Sequence, residues 1–345
     1  MDSRGAYVVG TGTVEIRPAQ VPAFGDDDVL VRMLYCGVCG SDLHFYQYGE
    51  TEFPGVLPFI LGHEPSGKVA AVGRNVTTLQ VGDRVVLEPG VSCRNCEWCR
   101  TGRYNLCASM NFISMPPEPG VLRTYVAHPA SLCFRLPESL SSEEGALIEP
   151  LAVALGAVTK SGASVGDKAT VLGSGCIGLM TLLSLKAVGV ADITVVDIHD
   201  IRLEKAKQLG AAHTINASTD EPVSAVRDLY GGTGPHLVFG AAGSQETAAQ
   251  MVRMARPGAT LVQVGNVAGE TPFPLLAFTR KELRLLSVYR YANTFPAAIA
   301  VAASRQIDIS QIISRIYDFE ETGRAYEDGV RDKESLVKAV IRVSS

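Results

Sequence analysis

The side chains with the most chemical potential are sulfurs. Eight cysteines occur in the 345-residue chain, and six fall into two tight groups, Cys36 with Cys39 and Cys93 with Cys96, Cys99 and Cys107. A C-x-x-C pair is shared by redox dithiols and by halves of zinc sites, so the first group is ambiguous by itself. The second group, in EPGVSCRNCEWCRTGRYNLC, lies in a Gly-, Asn- and Arg-rich loop that cannot bury a core of its own. Four thiolates make a closed tetrahedral set with no position for a substrate, which predicts a structural zinc that folds the loop; an iron–sulfur cluster is the alternative. Cys133 and Cys176 stand alone and read as small buried hydrophobes.

If the loop uses its own four sulfurs, Cys36 and Cys39 need other partners. The stretch LGHEPSG places His63 beside Glu64, and LIEPLA carries Glu149 among apolar neighbours, where a carboxylate is costly unless paired or bound to metal. One thiolate, one imidazole and one carboxylate hold zinc with a position left for an oxygen. Zinc lowers the pKa of a bound hydroxyl, as it does for water, so an alkoxide can form near neutral pH.

A dinucleotide site is legible downstream. In VLGSGCIGLM, Gly173, Gly175 and Gly178 form G-x-G-x-x-G around Cys176 and Ile177, after an apolar strand and at the mouth of a helix. Glycines let the backbone turn sharply and approach a pyrophosphate, whose charge the helix N-terminus stabilises. The next strand ends in Asp197, placed to accept hydrogen bonds from both hydroxyls of an adenosine ribose and to repel a 2′-phosphate. Arg202 lies five positions on, and Val264 with Gly265 is assigned to the same site. NAD is therefore expected over NADP; a helix cap at Asp197 with glycines serving a plain turn is the competing reading.

These residues need two kinds of scaffold. From Tyr7 to about Val126, short β-branched runs punctuated by Gly, Pro and Asp predict a β-rich, barrel-like domain. From about Leu151 to Val288, buried strands alternate with helices, the signature of βαβ units and a parallel sheet. The remainder, from about 289, ends in a helix and the strand-like SLVKAVIRV, expected to return to the first domain. A net charge of -5 and pI near 5.7, without a Lys/Arg run, exclude a nucleic-acid partner. The N-terminus lacks a basic flank followed by an apolar run, so a cytoplasmic protein is expected, and charges and glycines interrupt the most apolar stretch, which excludes a membrane span.

Taken in order, CGVCGSDLH, LGHEPSGKVAAVG with VGDRV, CRNCEWCRTGRYNLC, LIEPLAVAL, GSGCIGLM with VVD, and VYRYANTFPAAI resemble the zinc-dependent medium-chain dehydrogenases/reductases, and within them the polyol (sorbitol/xylitol) dehydrogenases. The resemblance implies an α/β protein: a GroES-like β-barrel catalytic domain over 1–152 and 289–345, with a structural zinc lobe at 88–110, and a Rossmann doubly wound parallel-sheet domain over 153–288. It implies Cys39, His63 and Glu64 as catalytic zinc ligands, Glu149 contacting the zinc directly or through water, and Cys36 packing in a strand. Ser41 and His44 are implied as a proton relay, and Tyr46, Phe112, Glu149, Arg290 and Tyr291, the last two after Tyr289, as substrate contacts. The implied reaction is NAD-linked oxidation of a polyol's secondary hydroxyl, with a butanediol or threonine dehydrogenase as alternative, in a homotetramer or dimer. Phe45, Pro65 and Gly240 depart from the family pattern, where tyrosine, alanine and an acidic residue are commoner.

Overall fold

The computed structural model describes residues 3–344, which fall into two compact units. One comprises the residues up to Glu149 with Phe295–Ala303 and Ile313 onward; the other comprises Pro150–Thr294 and Ser304–Ile312. The tail from 289 therefore does not return as one block, as its sequence led us to expect.

The backbone of the first unit is the ten-residue strand Asp28–Gly37, whose run DVLVRMLY is rich in apolar residues and buried along most of its length. Glu64–Val72 and Ala339–Arg342 pair with it antiparallel. The full path runs Cys133–Arg135, Arg84–Leu87, Glu64–Val72, Asp28–Gly37, Ala339–Arg342, Arg315–Asp318, with Tyr125–Pro129 also pairing to the central strand. Val29, Val31, Met33, Val69, Val85, Leu87, Tyr317 and Ile341 fill the core. Register has a functional result: it sets Gly37 opposite Glu64 on one side and Val340 on the other. At that corner the central strand ends, and the helix Gly40–Glu52 begins on Cys39.

In the second unit six parallel strands run in the order His213–Asn216, Asp192–Asp197, Lys168–Leu172, Leu237–Gly240, Thr260–Gln263, Arg284–Ser287. Numbered along the chain this is 3-2-1-4-5-6, the doubly wound order that places ligands at the carboxyl ends of the strands, beside the reversal. The central strands are apolar and fully buried at Val171, Ile193, Val195, Val238 and Leu261, as strands covered on both faces must be. One polar pair lies within this core, the Thr194 hydroxyl 2.7 Å from the Tyr230 hydroxyl. No helix among the described residues is long and apolar enough to cross a membrane.

Candidate active site

Strand pairing brings three donors together. One ligand atom each from Cys39, His63 and Glu64 lies within 4.8 Å of the other two, with His63 and Glu64 buried and Cys39 half-buried. Tetrahedral zinc at about 2.0–2.3 Å from N, O and S donors spans such a set and keeps its fourth direction open. Cys36 is not in it: its side chain is wholly buried in the central strand with Sγ on the Gly37 carbonyl at 3.3 Å, and burial, first, pushes its thiol far above the ordinary range. Of the C-x-x-C pair only the second sulfur is available.

Asp42, which the sequence reading left without a role, organises the donors. It sits in the first turn of the helix Gly40–Glu52, is 2% exposed, and accepts from the Cys39 N–H at 3.1 Å, the Gly62 N–H at 3.2 Å and the Ser114 hydroxyl at 2.9 Å. His63 Nδ1 lies 3.4 Å from the same carboxylate, which leaves Nε2 as the nitrogen for a cation. Burial alone would raise the Asp42 pKa, but His63, the Cys39 N–H and the Ser114 hydroxyl bring it below the ordinary value. Burial likewise works to lower the His63 pKa and is outweighed by Asp42 and Cys39, which raise it well above the usual imidazole value. The visible signal was an acidic residue three positions into a helix that starts on a cysteine.

Lys338 is the second unforeseen neighbour. It is 3% exposed, donates to the Val38 carbonyl at 2.9 Å and forms an ion pair with Glu64 Oε2. A single lysine inside the apolar run SLVKAVIRV was its only trace.

The second cysteine group also converges, all four sulfurs lying within 4.8 Å of one another. Sγ atoms of Cys93 and Cys99 are 3.8 Å apart, and those of Cys96 and Cys99 3.5 Å. Tetrahedral zinc with bonds of about 2.3 Å needs separations of about 3.8 Å, whereas a disulfide would need about 2 Å. N–H groups of Asn95 and Cys96 turn to the Cys93 sulfur and bring its pKa down to about 6, favouring the thiolate a metal requires. At the root of the lobe, the Tyr104 hydroxyl donates to the buried Glu88 carboxylate at 2.7 Å.

The glycine loop of the second unit is shaped for close approach. Gly173 has φ +96°, and Gly178 is so close to it that a Cβ would fall 1.8 Å from the Gly173 carbonyl oxygen. At Gly175, the residue before the helix Cys176–Ala187, the nearest atom to an added Cβ is Arg202 Nη1 at 3.7 Å, so open space rather than packing surrounds that glycine. Asp197 Oδ2 accepts from the Ser174 N–H at 2.6 Å and hydroxyl at 2.8 Å, while Oδ1 accepts from Ile198 and His199 N–H at 2.8 and 3.1 Å. Val264 and Gly265 both donate to the Gly240 carbonyl at 2.9 Å, at the end of the strand Thr260–Gln263.

Two family models match the chain: the alcohol dehydrogenase GroES-like domain over residues 25–138 and the zinc-binding dehydrogenase domain over 176–304. An Escherichia coli zinc-type alcohol dehydrogenase-like protein, YdjJ, is 37% identical over 344 residues, 96% of either chain. Human sorbitol dehydrogenase is 38% identical over 323 residues, covering 93% of this chain and 90% of its own. The chain is a zinc-dependent medium-chain dehydrogenase. Among solved structures, an Escherichia coli oxidoreductase/dehydrogenase of unknown specificity superposes on the dehydrogenase with a TM-score of 0.97 at 36% identity over 100% of both chains. Two others at TM-score 0.92 and 29% identity, each covering 99% of both chains, were solved with nucleotides: NADP in the zinc-binding dehydrogenase from Sinorhizobium meliloti, NADH in the alcohol dehydrogenase from Escherichia coli.

Other expected site residues of the dehydrogenase are placed less simply. Glu149, at the start of the helix Ile148–Ser161, is 8% exposed and is not one of the three mutually close donors. Phe112 sets its ring tilted at 56° to that of His63, with the centroids 5.7 Å apart. Tyr46 is 8% exposed, packs in the core and donates its hydroxyl to the Gly12 carbonyl at 2.7 Å, a mooring for the turn Gly10–Thr13 rather than a free substrate contact. Ser41 is exposed, and His44 is exposed with Nε2 2.8 Å from Glu52. Arg290 has φ +54° and stacks its guanidinium 4.8 Å from the Tyr289 ring centre, while Tyr291 is buried. Two family departures have a packing reason. Phe45 is buried between Phe53 and Phe59, at 5.6 and 5.3 Å, and a side chain at Gly240 would meet Gln263 Oε1 and Met251 Sδ at 2.7 Å.

Proposed function

We propose that the dehydrogenase oxidises a secondary hydroxyl of a polyol of the sorbitol, xylitol or arabinitol type to the ketose, with NAD as acceptor. The convergence of Cys39, His63 and Glu64 carries the reading: three unlike donors on one corner leave a cation one direction open. The whole-length similarity to sorbitol dehydrogenase supports the polyol class.

Cys39, His63 and Glu64 hold the metal, with Asp42 fixing the tautomer and ring direction of His63. Bound zinc and NAD supply, respectively, Lewis acidity toward a hydroxyl and a hydride acceptor. The chain's own residues do the rest. Phe112 closes one side of the donor corner with an apolar face, Glu149 contributes from outside the donor set, and Ser41 with His44 offers the hydroxyl proton a route toward the exposed Glu52 carboxylate. In the second unit, Gly173, Gly175 and Gly178 admit the pyrophosphate, and Asp197 receives the ribose hydroxyls and disfavours a 2′-phosphate.

A panel of sorbitol, xylitol, arabinitol, 2,3-butanediol and threonine, assayed by NADH absorbance and repeated with NADP, tests the reading. Highest kcat/KM is expected for a polyol with NAD. Turnover of threonine or butanediol but of no polyol overturns the substrate, and preference for NADP overturns the role of Asp197.

A further inference from the structure

Lys338 is one of the most deeply buried charges in the first unit, and it faces a proposed metal ligand. Its ammonium is anchored by donation to the Val38 carbonyl at 2.9 Å, across 300 residues of sequence, and pairs with Oε2 of Glu64, itself 1% exposed. The pair lies against Gly37. A Cβ there would fall 2.0 Å from Glu64 Oε2 and 2.9 Å from Lys338 Cε, so the backbone has been kept bare to admit both groups. A carboxylate with so little solvent needs a positive partner, and a buried ammonium without one is equally costly.

Glu64 thus has two cationic claimants, the ammonium behind it and the cation that Cys39, His63 and Glu64 together would hold. We infer that Lys338 is a stand-in cation. It neutralises Glu64 and keeps the donor corner assembled in the metal-free chain, and it weakens the carboxylate's hold once zinc is bound, so that a folded protein can load and exchange its metal. The inference rests on the donor-set reading above, and it makes Lys338 a positioning residue acting through Glu64. It also separates Lys338 from an ordinary buried ion pair. An ordinary pair would support the metal-free and zinc-loaded forms alike, whereas a stand-in matters chiefly when zinc is absent and opposes zinc when it is present.

The test uses the full-length chain with Lys338→Met, an uncharged side chain of similar length, and Lys338→Arg, which keeps the charge. Zinc per chain is counted by mass spectrometry, release into excess chelator is followed spectrophotometrically, and melting is recorded for loaded and stripped protein. Cys39→Ser identifies the release phase of the donor corner and Cys99→Ser that of the four-cysteine lobe. Lys338→Met should purify with both zincs, release the Cys39-dependent one about tenfold or more slowly than the wild type, and melt well below it only when stripped. Lys338→Arg should release zinc within a few-fold of the wild-type rate. Release by Lys338→Met as fast as wild type, equal losses of melting temperature in both forms, or failure to fold even with zinc would each overturn the stand-in role. A wild type whose zinc count is untouched by Cys39→Ser would instead remove the donor-set reading on which the inference stands.

Discussion

Asp42 shows what one side chain contributes to a site that it does not itself ligate. Its two oxygens gather the Cys39 N–H, the Gly62 N–H and the Ser114 hydroxyl and face His63 Nδ1, so the carboxylate fixes the cysteine loop and the imidazole at once. Asp42→Asn keeps the shape but replaces acceptor capacity with donors. It should weaken zinc at the Cys39 corner roughly 10–100-fold, with kcat/KM falling in parallel, as read by chelator competition and steady-state rates. An unchanged affinity would show that His63 is oriented by packing alone. The grouping of Cys39, His63 and Glu64 was legible from residue type and motif; the parts of Asp42 and Lys338 were not, because most of their partners come from segments remote in sequence. The Ser114 bond spans 72 positions and the Val38 bond 300, and no local pattern encodes such distances.

The glycine loop is the element where spacing and structure agree most closely, because its constraints are local. Gly178 meets Gly173 and Gly175 meets open space, so the same substitution should have different consequences at each. Gly178→Ala forces the strand-to-helix turn apart and should lower both the melting temperature and NADH affinity. Gly175→Ala should melt within a few degrees of wild type yet bind NADH at least about tenfold more weakly, because its Cβ intrudes only where the cofactor comes close. Fluorescence titration with NADH and thermal melts separate the two; equal melting for both variants would contradict the packing described. That the sheet would be parallel was legible for a related reason, since buried strands alternating with helices permit few connections. The tail was harder to read. Its segments 295–303 and 304–312 go to different units with no punctuation of composition to mark the change.

At the scale of the whole molecule, acid sensitivity should come partly from a histidine that belongs to neither donor group. His128 is 3% exposed, its Nε2 lies 2.9 Å from the Glu88 carbonyl, and burial pulls its pKa from 6.5 down to about 4. The unfolded chain therefore takes up this proton before the folded one does. Stability from the neutral imidazole is complete above pH 6.5 and is lost as pH falls toward 4, about 2 kcal/mol of it between pH 7 and pH 5. Urea unfolding of zinc-loaded wild type and His128→Gln at both pH values should show the smaller acid loss in the variant, the titration of metal ligands being common to both. Parallel losses would mean that His128 is not the group responsible.

Asp197 is at once a building part and, on our reading, the sensor of the ribose. One oxygen already holds Ser174 by its N–H and hydroxyl, and the other closes the turn through Ile198 and His199. Redesigning the protein to favour a phosphorylated coenzyme by simply deleting that acid would unlatch the loop meant to receive it. A workable exchange has to supply Ser174 with a replacement acceptor in the same step.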